Sequence, residues 1–294
     1  MTDNLPILPG DQSLLPRQAD TDGQLVELWV HGRPSGTQKM YRAEAARFLS
    51  FVAQPLHGVK LAHLQQYADH LEQSGLAPAT RHRRLATVKS LFAFAHRIGY
   101  LQFDVARPIR LPAIRETLNE RILTEVEVQR MLALERQPRN HAILYCLYGA
   151  GIRASELVGL RWQDLAERQD GQGQISVFGK GQKSRTILLP ASVWQAIVGL
   201  RGAASDGARV FLSRKGGHLC VAQLWRIVKA AAKRAGIQKA VSTHWMRHAH
   251  ASHALDRGAP IHLVQATLGH SSVATTGKYL HARPGESSGR FLPL

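Results

Sequence analysis

Cysteine is almost absent from this sequence, and so is any long apolar run. Its 294 residues include only two cysteines, Cys146 and Cys220, which form no C-x-x-C pair. A disulfide framework is therefore excluded, and both thiols are predicted to be reduced and buried. The sequence contains no run of about 18 apolar residues, the length needed to span a membrane, and no recognisable secretory signal. We expect a soluble, cytoplasmic protein.

Acidic side chains are also scarce. Asp and Glu number 21 against 38 Lys and Arg, which gives a formal net charge of +17. Of the basic residues, 28 are arginine, and arginine binds phosphate through two parallel N–H donors. The imbalance predicts a polyanionic partner. The alternative is a basic surface that is merely solvated.

The length suits two domains, and the first of them is predicted to be helical. Residues 1–20 hold three prolines and no sustained periodicity, which predicts a flexible tail. Apolar residues at helical spacing predict helices over 24–30, 37–52, 61–73 and 80–98, within a domain spanning 21–104. The residues predicted to face inward are Tyr41, Ala45, Phe48, Phe51 and Val52 from the second helix, and Leu85, Val88, Leu91, Phe92 and Ala95 from the last. Arg81, Arg83, Arg84 and Lys89 form its basic side and are candidates to contact phosphates. A solvated helix face is the alternative.

A basic linker with four arginines is predicted over 105–121, because its two prolines stop a helix and stiffen an extended connection. Arg107 and Arg110 are further candidates for phosphate contact. A second domain over 122–283 begins where Thr124 and Glu127 have the spacing of a capping box. Residues 284–294 are predicted to form a C-terminal tail with an apolar tip.

The second domain is predicted to mix helices with a small β-hairpin. Runs rich in β-branched residues at 174–178 and 184–189 flank Gly-Lys-Gly-Gln-Lys, which predicts a hairpin with Lys180 and Lys183 at its tip. Helices are predicted over 141–148, 191–200 and 221–235, and a short strand over 209–213 with Phe211 in the core. The fold class expected for the whole chain is mainly α with a small β-sheet.

Residues 243–281 gather side chains suited to phosphate chemistry. His244 and Arg247 form a His-x-x-Arg pair, His270 follows a glycine, and Tyr279 lies nine residues later. Arginine binds phosphate at any working pH, histidine can move a proton near neutrality, and a tyrosine hydroxyl can act as a covalent nucleophile. A metal site is the alternative for His244, His248, His250 and His253, although the glutamate of H-E-x-x-H is absent.

An arginine and a carboxylate upstream could complete such a site. Arg153 and Glu156 are three residues apart, so they would share one helical face, and the carboxylate could orient a nearby base or arginine. By itself, a surface pair is the simpler interpretation.

In order along the chain, GIRASELVGL, VFGKGQKSRTILLP, THWMRHAHASHAL and LGHSSVATTGKYLH resemble the tyrosine recombinase (phage integrase, Xer-like) family. The resemblance covers about residues 20–281. It implies a helical, SAM-like core-binding domain followed by a mixed α/β catalytic domain. Glu156 matches a supporting acidic position. The catalytic set that the resemblance implies is Arg153, Lys180, His244, Arg247, His270 and Tyr279.

The resemblance implies a site-specific DNA recombinase that cuts and rejoins DNA through a 3′-phosphotyrosyl intermediate, without metal, ATP or another cofactor. The expected partners are double-stranded DNA, further copies of the chain in a tetramer, and accessory proteins. Alternatives are a type IB topoisomerase-like activity and a non-catalytic DNA-binding protein. Lys278 and Leu280 depart from the family's usual pattern around the tyrosine. His250 also departs, and we predict that it is a hydrogen-bonded core residue.

Overall fold

The computed structural model describes residues 18–115, 117–178 and 184–280. The chain divides into two compact units, Met1–Glu116 and Thr117–Leu294. The division falls inside the stretch 105–121 that the sequence predicts to be a linker. The predicted hairpin tip with Lys180 and Lys183, the first 17 residues and the C-terminal tail lie outside the described residues.

The N-terminal unit is built from four helices, as the apolar spacing predicts. They are α1 (Asp22–Val30), α2 (Ser35–Val52), α3 (Leu61–Gln73) and α4 (Pro78–Arg97), with a 3₁₀ turn at Leu56–Gly58. Burying one apolar stripe of each helix against the others removes those side chains from water, which is the main force that holds such a bundle together. The five residues predicted to face inward from α4 are all buried, namely Leu85, Val88, Leu91, Phe92 and Ala95.

The predicted inner face of α2 is partly wrong. Ala45 and Phe48 are buried as expected, but Phe51 remains 37% exposed. The carboxylate of Glu44 is buried instead, with a residue exposure of only 2%. Arg47 and Arg83 approach Glu44 Oε1 to 2.9 and 3.0 Å, and such pairing is what makes a buried charge tolerable.

The beginning of the predicted linker is packed onto the N-terminal unit. The apolar side chains of Val105, Ile109 and Leu111 lie against the core of this unit. The ammonium of Lys89 donates to the carbonyls of residues 106, 107 and 109 at 2.8, 2.8 and 2.6 Å. Residues 105–111 are therefore part of the first unit and do not form a free extended connection.

The C-terminal unit combines eight helices with one small sheet in the residues described. It begins after a 3₁₀ turn at Asn119–Arg121. The helices are α5 (Glu125–Ala133), α6 (Pro138–Gly149), α7 (Ala154–Gly159), α8 (Ala191–Val198), α9 (Val221–Arg234), α10 (Thr243–Asp256), α11 (Ile261–Leu268) and α12 (Val273–Gly277). The predicted capping box at the start of α5 is confirmed, since Thr124 Oγ1 and the Glu127 carboxylate each accept the other residue's backbone N–H.

The sheet has three antiparallel strands in the order β1 (Leu165–Glu167), β2 (Gly173–Phe178) and β3 (Ser184–Leu189). Val177 pairs with Arg185, one pair before the end at which the two strands are connected. The predicted strand over 209–213 is wrong, because this stretch makes only the isolated bridges Arg161–Arg209 and Leu212–His218. Phe211 is nevertheless buried, as expected.

The cysteine prediction is half right. Cys146 is a free thiol buried in the core of the C-terminal unit, whereas the free thiol of Cys220 is exposed at the start of α9. Across the described residues, the predicted fold class is confirmed, with helices dominant and one small antiparallel sheet. In the part of the chain that the structure describes, no helix has the length and apolarity to cross a membrane.

Candidate active site

Arg247 lies at the centre of the site and is almost fully buried on α10. Its two terminal nitrogens donate to the carbonyls of Gly151 and Leu268. Gly151 has a left-handed backbone (φ +57°), and a side chain there would collide with His250 and Leu268 at 2.8 Å. Glycine is therefore required at this position by both its backbone angle and the close packing that brings its carbonyl to Arg247.

Arg153 lies at the beginning of α7. It contacts the C-terminal end of α11, where Leu268 also accepts a hydrogen bond from Arg247. Its Nη1 donates to Glu156 Oε1 at 2.8 Å, and its Nη2 donates to the carbonyl of Gly269 at 2.7 Å. Glu156 Oε2 also accepts the backbone N–H of Arg153 at 2.9 Å. The pair predicted from the three-residue spacing therefore exists, and it orients Arg153 toward the turn that follows α11.

His270 lies in the turn after α11, and Tyr279 lies in the turn that follows the short helix α12. Gly269 caps α11 in the left-handed conformation (φ +62°), so the chain reverses immediately before His270. His270 Nδ1 is hydrogen-bonded to the buried hydroxyl of Thr276 at 2.9 Å, which fixes the orientation of the ring. Tyr279 is 5% exposed, and its ring lies parallel to that of His270 with the centroids 6.4 Å apart.

The hydroxyl of Tyr279 is hydrogen-bonded to His248, which the sequence indicated only as part of a possible metal site and not as a catalytic residue. His248 Nδ1 lies 2.7 Å from this oxygen. His248 follows His244 by one helical turn on α10, and their ring centroids are 6.4 Å apart. The four-residue spacing places His244 and His248 on one helical face, but nothing in the sequence connects His248 with the tyrosine.

Burial and clustered positive charge lower the pKa values of the site histidines. Burial first, and then neighbouring charges including Arg247, lower the pKa of both His248 and His270 to about 4. The pKa of His244 is also lowered, first by partial burial of its ring and then by the charges of Arg247 and Arg153. At neutral pH these imidazoles are therefore uncharged and able to accept a proton.

Burial raises the pKa of the Tyr279 phenol, and the charge of Arg247 offsets part of this rise. The hydroxyl is therefore protonated at neutral pH in this arrangement. A reaction that uses the oxygen as a nucleophile has to transfer the proton to a base.

Glu156 is held by two arginines. Arg185 on β3 donates from Nη1 to Oε1 at 2.9 Å and from Nη2 to Oε2 at 2.8 Å. Burial opposes ionisation of Glu156, but hydrogen bonds from Arg185 and Arg153 outweigh it and lower the pKa to about 2. The carboxylate is therefore ionised at any physiological pH.

Arg185 was not among the residues predicted for the site, although a signal for it exists in the sequence. On β3 the side chains alternate, and Ile187 and Leu189 are buried on the same face as Arg185. A charged residue that falls in the inward register of a strand needs a buried partner. The partner, Glu156, is 29 residues earlier in the chain.

The catalytic residues predicted from the resemblance lie in one cluster as far as they are described. The described members are Arg153, His244, Arg247, His270 and Tyr279, and Lys180 lies outside the described residues. His250, which the sequence analysis predicted to be a core residue, is hydrogen-bonded through Nδ1 to the carbonyl of Tyr148 at 2.6 Å. Within the described ranges, no group of three or more His, Cys, Asp or Glu side chains could hold a metal ion.

The basic side chains predicted to contact phosphate differ in their surroundings. Arg81 is paired with Glu72, and Arg83 with the buried Glu44. Arg84 lies 3.7 Å from the same carboxylate. The ammonium of Lys89 makes three hydrogen bonds to carbonyls, which occupy all of its N–H donors. The remaining candidates, Arg107 and Arg110, are exposed.

Comparison with known proteins identifies the family of this chain. The Phage integrase family profile matches residues 121–286, and the profile of the phage integrase N-terminal SAM-like domain matches residues 27–99. Tyrosine recombinase XerD of Corynebacterium glutamicum is 30% identical over 272 residues, covering 85% of this chain and 88% of the relative. Tyrosine recombinase XerD of Pseudomonas aeruginosa is 33% identical over 278 residues, covering 88% and 91%.

Solved structures show the same fold at lower sequence identity. The XerH site-specific recombinase bound to difH substrate has a TM-score of 0.70 at 20% identity, covering 93% of this chain and 83% of that one. A lambda integrase dimer bound to a COC′ core site has a TM-score of 0.73 at 17% identity, covering 90% and 95%. This chain is a two-unit protein with the recombinase fold. It belongs to the phage integrase family.

Proposed function

We propose that this protein is a tyrosine-type site-specific recombinase that cuts and rejoins double-stranded DNA. The observation that carries the proposal is the convergence of two arginines and a buried tyrosine at one end of α11. Arg153 and Arg247 bind the carbonyls of Gly269 and Leu268 there, and the Tyr279 ring lies beside the ring of His270, the residue that follows Gly269. The curated relatives are named tyrosine recombinases, which supports the same activity.

The proposed reaction is an exchange of phosphodiester partners. The Tyr279 oxygen attacks the phosphorus, forming a 3′-phosphotyrosyl bond as the bond to the 5′-oxygen breaks. Arg153 and Arg247 stabilise the charge that accumulates on the non-bridging oxygens. Lys180 protonates the departing 5′-oxygen. A 5′-hydroxyl from another strand then attacks the phosphotyrosine and releases the enzyme, so the linkage energy is conserved without ATP or metal.

Removal of the phenolic proton needs a base near Tyr279. His244, assisted by His270, is the base that the family resemblance implies. His248 is the imidazole hydrogen-bonded to the hydroxyl at 2.7 Å. In the proposed mechanism His248 holds the hydroxyl before DNA binds, and the phosphate brings the phenol into reach of His244.

Double-stranded DNA is the proposed partner of both units, and the net charge of +17 supports this. Phosphate contacts are proposed for Arg81, Arg83, Arg84, Arg107 and Arg110, which would position the protein without reading sequence. Two duplexes that exchange both strands need four cuts, and each copy of the chain supplies one nucleophile. A tetramer on DNA, with accessory proteins as further partners, is therefore the proposed assembly.

Trapping of covalent adducts tests this function directly. The protein is incubated with fragments of its host genome, and DNA that remains attached after denaturation is sequenced. We expect the wild type to yield adducts at one discrete DNA site. Tyr279→Phe should yield none, because the variant lacks the nucleophilic oxygen while keeping the ring. Adducts that persist in Tyr279→Phe would identify another nucleophile. Relaxation of supercoiled plasmids without a preferred site would indicate a topoisomerase instead.

A further inference from the structure

Three arginines bind three successive carbonyls at the C-terminal end of α11. Arg185 Nε donates to the carbonyl of Thr267 at 2.9 Å. Arg247 donates to Leu268, and Arg153 donates to Gly269. The last carbonyls of a helix have no partner within it and carry the negative end of its dipole. This helix end is therefore a common anchor for three guanidinium groups from β3, α10 and the start of α7.

Arg185 differs from the other two arginines in its second contact. It forms a two-point ion pair with Glu156, and its side chain is only 13% exposed. Arg153 shares the same carboxylate but contacts only Oε1 through its guanidinium. The backbone N–H of Arg153 and the two Arg185 nitrogens fill the other positions on Glu156. A carboxylate offers about four lone-pair sites, so Glu156 is saturated.

We propose that Arg185 is a positioning residue for the phosphate-binding Arg153, a role that rests on the proposed recombinase function. By occupying Glu156, Arg185 prevents the carboxylate from forming a second bond to the Arg153 guanidinium and drawing that group off the phosphate. Among the described residues, Arg153 then uses only two of its N–H groups, to Glu156 and Gly269. A guanidinium has five such donors, so the remainder can bind a phosphate.

The charge around the carboxylate supports the same role. Three guanidinium groups near a single carboxylate leave an excess of two positive charges facing the position proposed for the phosphate. Without Arg185 the excess would fall to one, and Glu156 would be free to pair with Arg153 through both oxygens. Arg–carboxylate pairs favour this two-point geometry. The reactive arginine would then be partly neutralised and displaced.

The test measures the single-turnover rate of covalent adduct formation on the trapped genomic site. Arg185→Ala should lower this rate by about 100-fold, the scale expected when a reactive group is misplaced by about 1 Å, with little change in DNA affinity. Arg209→Ala is the matched control. Arg209 is a half-buried arginine of the same unit that donates to the carbonyls of Val158 and Gly159 without contacting Glu156, so its adduct rate should stay near that of the wild type.

Two further measurements separate positioning from a general loss of structure. In an Arg185→Ala, Glu156→Gln double variant the rate should fall no further than in the slower single variant, to within about twofold. Losses that multiply would overturn the proposal, because they would mean that Arg185 acts independently of Glu156. A methylphosphonate at the cleavage site carries no charge on its non-bridging oxygen, so the defects of Arg153→Ala and Arg185→Ala should both shrink on it.

An Arg185→Ala defect of equal size on methylphosphonate and on ordinary DNA would also overturn the proposal, since a structural loss does not depend on the substrate's charge. If Arg185→Ala forms the covalent adduct at the wild-type rate, the positioning role is likewise overturned, while the proposed recombinase function is left intact. Failure of the wild type itself to form an adduct that depends on Tyr279 would instead refute the proposed function.

Discussion

Gly269→Ala is expected to damage both the stability and the chemistry of the C-terminal unit. Gly269 has φ +62°, and a Cβ built there would lie 3.0 Å from Cδ and Nη1 of Arg185. Alanine in a left-handed conformation costs about 1–2 kcal/mol. Displacing Arg185 from the Thr267 carbonyl removes a hydrogen bond worth about 1 kcal/mol. The expected loss of unfolding free energy is therefore about 2–3 kcal/mol.

Gly258→Ala provides the matched control for this variant. Gly258 has a similar backbone (φ +84°), but no atom lies within 4 Å of the position of its Cβ. This substitution therefore incurs the backbone cost alone, about 1–2 kcal/mol. The difference between the two variants isolates the displacement of Arg185. Adduct formation should fall in Gly269→Ala and stay near the wild-type rate in Gly258→Ala.

Urea denaturation followed by tryptophan fluorescence is a suitable assay, because four of the five tryptophans lie in the C-terminal unit. If Gly269→Ala and Gly258→Ala lose equal stability and retain equal activity, the argument from the Arg185 contact is refuted. Gly269→Asn should recover part of the backbone term, since asparagine tolerates the left-handed region better than alanine.

Three other predictions concern the leaving group, pH and salt. The Lys180→Ala variant should cleave ordinary DNA very slowly. It should cleave a substrate with sulfur at the 5′ bridging position at close to the wild-type rate, because a thiolate leaves without a proton donor. If sulfur rescues Lys183→Ala instead, the proton donor is Lys183. His248 has a pKa of about 4 in the folded protein and about 6.5 unfolded, so the unfolded state binds more protons between these values. Stability is fully present above about pH 6.5 and is lost as the pH falls toward 4, with a deficit of about 1 kcal/mol at pH ~5.5; an equal pH dependence in His248→Asn would contradict this assignment. Log DNA affinity should fall linearly with log salt concentration, and Arg110→Ala should reduce the slope by about 1, whereas Lys89→Met should leave it unchanged; an unchanged slope for Arg110→Ala would remove this residue from the interface.

Local pattern was sufficient to predict the helices of the first unit. The apolar spacing predicts α3 over 61–73, as observed, and places the other helices of the first unit within two residues at each end. The capping box at Thr124 and the hairpin strands were also predictable, because their signals lie within a few residues of one another. The catalytic roles implied by the family resemblance remain predictions, although their described members lie together.

Three departures from the sequence predictions share a physical cause, which is pairing between residues far apart in the chain. Glu44 is buried because Arg83, 39 residues later, reaches it from α4. The three acceptors of Lys89 lie 17 to 20 residues after it. Arg185 finds its carboxylate 29 residues earlier. Periodicity describes which face of an element is apolar, and it contains no information on which distant charge will meet that face.

The hydrogen bonds from Lys89 to the carbonyls of residues 106, 107 and 109 determine where the chain can be cut to give a stable N-terminal fragment. A fragment that stops at residue 104 would remove all three carbonyls and leave a charged ammonium beside an exposed apolar groove. A fragment that ends at residue 115 would keep these acceptors, together with the Pro112 carbonyl bound to His82 at 2.8 Å. The longer fragment should therefore remain soluble on expression, while the shorter one should aggregate.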